Sequence, residues 1–111
     1  MELPPEPFEI EESRSDGTTV LTLHGELDLA YADGLSARLD ELRDRGEPVL
    51  VDLDQLEFVD SSGLRVLLKA TQDSEDGAWR FQVTRGSEAV LRLLRAAGLE
   101  GRLPTVEGPV G

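Results

Sequence analysis

The sequence has no cysteine, which excludes disulfides, thiol nucleophiles and cysteine-ligated metals and suits a cytoplasmic location. It has one histidine, His24, and one lysine, Lys69. Basic residues are scarce: 11 against 23 acidic, for a net charge of −12. Such a surface repels nucleic-acid phosphates and anionic lipid, and favours either simple solubility or a partner with a basic face. No run approaches the ~18 apolar residues that cross a membrane. Met1 to Pro7 carries no basic stretch followed by an apolar one, so it does not read as a signal peptide. A glycine-rich phosphate loop ending in Gly-Lys is also missing.

What remains is a chain of 111 residues with 39% apolar residues, mostly Leu and Val. That predicts one domain burying roughly 60–68% of its unfolded surface. Residues 1–7 and 107–111 read as tails, and 8–106 as the domain. Phe8 to Glu12 alternates like an edge strand. Asp16-Gly17 is a turn signal, and Thr18 to His24 completes a hairpin. Gly25-Glu26-Leu27-Asp28 closes it. Leu29, Ala32, Leu35, Leu39 and Leu42 make one helical stripe over 29–45, with Asp28 as N-cap and Gly46 as the stop. Pro48 to Leu53 is almost continuously apolar, which predicts a central strand covered on both faces. Leu56 to Val59 is a short apolar piece leading to Asp60. Leu64, Leu67, Leu68 and Thr71, widened by Val66 and Ala70, mark a second helix. Trp79 to Val83 alternates as a strand. Val90, Leu93, Leu94 and Ala97 mark a third helix, and Leu103 to Val106 a last edge strand. Helices between strands imply crossovers. The fold class is therefore α/β: a small single domain with a mixed, mostly parallel sheet and packed helices.

The chemistry concentrates in Phe58-Val59-Asp60-Ser61-Ser62-Gly63-Leu64, where an apolar run hands over to a helix. Ser62 is well placed to cap that helix, and capping is a sufficient reason for a serine there. A phosphoserine would instead add a charge of about −1.5 to −2 beside Asp60. It would change the surface offered to a partner without refolding the domain. Gly63 fits the turn or leaves room for close approach.

These residues resemble the STAS family, and most closely the bacterial anti-sigma factor antagonists. The resemblance covers about 8–106. It rests on Gly25-Glu26-Leu27-Asp28 before an amphipathic helix, on Val49 to Leu53 followed by the Asp60-Ser61-Ser62-Gly63-Leu64 loop, and on Leu91 to Leu99. It implies Ser61 as phosphoacceptor. It further implies partner contacts from Glu26, Asp28, Asp60, Ser61, Ser62, Gly63 and Leu64. The implied cycle starts with the unphosphorylated form binding an anti-sigma factor that is also a serine kinase, which frees a sigma factor. Phosphorylation ends that contact, and a PP2C-type phosphatase restores it. No catalytic residue, cofactor, metal, nucleic acid or membrane is implied. Two departures stand out. Relatives often carry a final helix, expected here to be short or missing, and Asp73 to Ala78 is acidic where many relatives are basic.

Three other readings compete. A hydrolase would need His24 as base for Ser61, and the serine lies outside the nucleophile-elbow pattern. A phospho-aspartate receiver would use Asp60 with Glu26 and Asp28 around magnesium, yet Lys69 is inside a helix rather than late in the chain. A STAS scaffold or adaptor, in a signalling or lipid-transport complex, would never cycle through phosphate at all.

Overall fold

The computed structural model describes residues 8–107. The expected tail at 1–7 and all but Glu107 of the one at 107–111, and with them the question of a terminal helix, lie outside those residues. The elements are β1 (Glu9–Ser15), β2 (Thr18–Leu27), α1 (Leu29–Asp44), β3 (Val49–Asp52), β4 (Leu56–Val59), α2 (Ser61–Ser74), β5 (Phe81–Thr84), α3 (Glu88–Ala96) and β6 (Thr105–Val106).

The hairpin forms where the sequence places it. Asp16 and Gly17 both take positive φ, 51° and 81°, in the turn between β1 and β2. All later pairings are parallel, because a helix carries the chain back each time. The strand order is β1-β2-β3-β5-β6, with β4 paired to β2. This is the mixed, mostly parallel sheet expected.

Alternation puts Leu21, Leu23, Val49, Val51, Phe81 and Val83 into the core, each 3% exposed or less. Leu35, Leu39 and Leu42 of α1, Leu64 and Leu67 of α2, and Val90 and Leu94 of α3 pack with them. Each such burial contributes about 1.5–3 kcal/mol before chain entropy is subtracted. Trp79 closes one end, its indole N–H donating to the Glu47 carbonyl at 2.7 Å. Arg45 caps α1 and Gly46 comes next at φ 69°, the left-handed stop predicted for it.

Three expectations need correction. Leu56 to Val59 is a strand in its own right, made so by pairing with β2. β2 itself runs on to Leu27 instead of ending near His24. And β3 is not covered on both faces: Val49 and Val51 are buried, while Leu50 and Asp52 stay half-exposed.

Candidate functional site

The extra length of β2 builds the site. Its first half pairs with β3, from Thr19↔Val49 to Thr22↔Asp52. Its second half pairs with β4, Glu26 facing Phe58 and Leu27 facing Val59. Two parallel strands therefore end side by side. The Asp60 N–H donates to the Leu27 carbonyl at 3.1 Å, which locks the two ends together. Each strand then hands over directly to a helix. Asp28 and Asp60, the two N-caps, are neighbours for that reason. Carboxyl ends of parallel strands are where α/β folds commonly place their ligands.

The caps differ in detail. Asp28 is extended (φ −126°, ψ −172°), and its Oδ1 accepts from the Ala30 N–H at 3.0 Å. Asp60 is also extended (φ −96°, ψ −175°). Its Oδ1 accepts from two amides, Ser62 at 2.9 Å and Gly63 at 3.1 Å. Ser62 is therefore not the cap, as the sequence suggested; Asp60 is. Ser61 becomes the first helical residue. It is exposed, and its hydroxyl makes no hydrogen bond with a described residue. The helix cap has been taken over by the carboxylate, which leaves the serine oxygen free.

Gly63 has a packing role. A Cβ there would sit 2.7 Å from Leu27 Cγ and 2.7 Å from Val59 Cγ2. Only a glycine lets α2 begin against the ends of β2 and β4. Gly63 and Leu64 are both buried, so they lie beneath the exposed surface and shape it from below.

A family profile described as "Mlab, STAS domain" matches residues 10–106. The chain belongs to the STAS domain family. Among curated relatives, this STAS domain is 31% identical over 105 residues to the anti-sigma F factor antagonist of Paenibacillus polymyxa, covering 93% of this chain and 90% of that one. Its fold matches the crystal structure of an anti-sigma factor antagonist from Mycobacterium paratuberculosis, with TM-score 0.79 and 23% identity over 96% of this chain and 91% of that one. It also matches Bacillus SpoIIAA in its phosphorylated form, with TM-score 0.68 and 23% identity over 94% and 93%.

Within this STAS domain, Glu26, Asp28, Asp60, Ser61 and Ser62 come together at one end of the sheet, as the pairing of β2 with β4 requires. The sequence reading missed the apolar part of that surface. Leu29 is 72% exposed and Phe58 38% exposed. They lie just after Asp28 and just before Asp60 in the chain, so in sequence they flank the two strand-to-helix junctions. The signal was present as an apolar residue at each of two junctions, but each counted there as part of a short apolar piece or a helix stripe. Glu26, Asp28 and Asp60 are their chain or pairing neighbours, so exposed apolar residues and acidic ones share this end of the sheet. Tyr31, at the start of α1, rests on Phe8 with ring centroids 5.3 Å apart.

The competing chemistry is not assembled. His24 Nε2 lies 3.2 Å from Glu11 Oε1, across the β1–β2 hairpin, so it is not placed as a base for Ser61. Among the described residues, no group of three or more His, Asp or Glu side chains is gathered to hold a metal ion. Nor is any helix there long and apolar enough to cross a membrane.

Proposed function

We propose that this STAS domain is an anti-sigma factor antagonist that changes partners when Ser61 is phosphorylated. One observation carries the reading: Ser61 is exposed and its Oγ makes no hydrogen bond with a described residue, because Asp60 performs the capping. A hydroxyl committed to a cap would have to abandon it before reacting. This one is available at no structural expense.

The unphosphorylated surface offers Leu29 and Phe58 as contact area close in the chain to Glu26, Asp28 and Asp60. That suits a partner with an apolar patch and basic surroundings. The partner is an anti-sigma factor with serine-kinase activity, and its capture frees a sigma factor. The kinase supplies catalysis; the STAS domain supplies the nucleophile. Ser61 Oγ forms a bond to the γ-phosphorus of ATP, the β–γ bridging bond breaks, ADP leaves, and the serine proton passes to a base on the kinase. The product carries about −1.5 to −2 additional charge. The Ser62 and Gly63 amides are already occupied by Asp60, so they do not absorb it. The new charge sits beside Asp60 and Asp28 on the contact surface and opposes rebinding through desolvation and repulsion. A PP2C-type phosphatase removes it and resets the cycle, all in the cytoplasm.

The test is a pull-down from native extract with the purified unphosphorylated protein, followed by ATP and mass spectrometry. A kinase-type anti-sigma factor should be retained, phosphate should appear on Ser61, and the complex should dissociate. Ser61→Ala should bind yet never release, whereas Ser61→Asp or Ser61→Glu should bind at least tenfold more weakly. If neither substitution changes the interaction, the switch fails. A stable complex with Ser61 untouched would identify a scaffold, in signalling or in lipid transport.

A further inference from the structure

Helix α2 presents one stripe at four-residue spacing: Ser61, Arg65 and Lys69, all exposed, and then the half-buried Asp73. Its far end is already closed. Lys69 Nζ donates to Asp73 Oδ2 at 2.9 Å and lies 3.5 Å from Asp40 on α1. Its near end is open. Arg65 is exposed and makes no ion pair or hydrogen bond with a described residue. It is the sole cation in the first two turns of α2, since Lys69 comes a turn later and is engaged.

We infer that Arg65 is the residue that receives the phosphate on Ser61. The inference rests on the reading of Ser61 as acceptor. Residues four apart on a helix have their Cβ atoms roughly 5–6 Å apart, and an anion N-terminal to a cation is the favoured order. A guanidinium can take two phosphate oxygens at once. The surroundings narrow the phosphate's choice of donor on its own turn. Asp60 holds the Ser62 and Gly63 amides, and the carboxylates of Asp60 and Asp28 repel the phosphate from the strand ends. Repulsion from behind and attraction from ahead send it the same way, along the stripe and over Arg65.

The consequence is a modification that moves two charges at once. Phosphorylation adds an anion beside Asp60 and at the same time fixes the free cation of α2. The pair also keeps the phosphate dianionic at neutral pH and holds it in one orientation over the first helical turn. The free and phosphorylated forms then differ in the pattern of their surface charge as well as in its sum.

The experiment installs phosphoserine at position 61 during translation and follows it by phosphorus NMR against pH in low salt. The second phosphate ionisation ordinarily falls near pH 6. A neighbouring guanidinium favours the dianion and lowers it, so Arg65→Gln should raise it by roughly 0.3 of a pH unit. Arg65→Lys should recover part of that shift, and 0.5 M salt (about three times physiological strength) should shrink it. The Arg65 side-chain N–H signal should move when the unmodified and phosphorylated wild-type proteins are compared. Identical titration curves for wild type and Arg65→Gln, or an unmoved Arg65 signal, would overturn the pairing. Because the phosphoserine is installed without a kinase, this result stands apart from the switch itself. Failure of ATP-dependent transfer to Ser61 would sink the switch and leave the titration as it is.

Discussion

At the end of β2 the carboxylate of Asp28 holds one amide, that of Ala30; at the end of β4 the carboxylate of Asp60 holds two, those of Ser62 and Gly63. The two junctions use the same cap in nearly the same extended conformation. They differ in the residues that open each helix. After Asp28 come Leu29, largely exposed, and then Gly34 in open space. After Asp60 come Ser61 and then Gly63, pressed against Leu27 and Val59. One helix starts loosely and offers a greasy side chain. The other starts tightly and offers a hydroxyl. A group that must react in another protein's active site gains from a rigid mount, whereas a group that only needs to be covered does not. On the proposed reading, the division of labour between acceptor and contact surface follows how closely each helix abuts the sheet.

Exchanging the glycines gives the largest test of that contrast. Gly63→Ala puts a Cβ within 2.7 Å of two buried branched side chains. It should destabilise the domain by about 1–3 kcal/mol through overpacking, read from urea unfolding. Gly34→Ala meets nothing within 4 Å in the first half of α1. It should stabilise by about 0.5–1 kcal/mol through helix propensity. Two shifts of the same sign would erase the distinction between a tight and a loose junction. The caps give a smaller version of the same test. Asp60→Ala leaves two amides unpartnered and should cost about 1–2 kcal/mol; Asp28→Ala leaves one and should cost about 0.5–1 kcal/mol. Equal losses would mean that the second hydrogen bond of Asp60 contributes nothing.

Much of this arrangement is legible in the residues. The Asp28 cap, the Gly46 stop, the Asp16-Gly17 turn and the leucine stripes are local signals, and each is satisfied by neighbours within a turn or two. The misses are non-local. Leu56 to Val59 has buried ends and an exposed middle, so it lacks the alternation of a strand. Pairing with Gly25–Leu27 makes it one, and those residues are themselves poor strand formers. The site depends on that pairing, since it is what brings Asp28 beside Asp60. The choice of cap was hidden for another reason. Asp60, Ser61 and Ser62 are three consecutive residues that can all cap a helix, and backbone dihedrals alone select the first. Leu50 misled in the opposite direction: an unbroken apolar run suggested two covered faces where the helices cover one.

Away from the junctions the same two helices are joined by charge rather than by caps, and there the expected effect is smallest. Asp73 of α2 accepts from Lys69 at 2.9 Å and from Arg43 of α1 at 2.7 Å. The Lys69 hydrogen bond, helped by Arg43 and opposed by partial burial, holds the Asp73 carboxyl below the usual aspartate range. A depressed carboxyl contributes stability that is complete above its unfolded value of about 3.9 and is lost as pH falls through the lower folded value. Asp73→Asn should therefore cost about 0.5 kcal/mol at pH 7, the scale of a partly exposed pair. The gap from wild type should close as pH drops below about 4. It should also narrow in high salt, which the cap substitutions should tolerate better because their hydrogen bonds are short-ranged. A gap that persisted unchanged at low pH would mean that Asp73 acts by packing and that α1 and α2 are held together without their ion pairs.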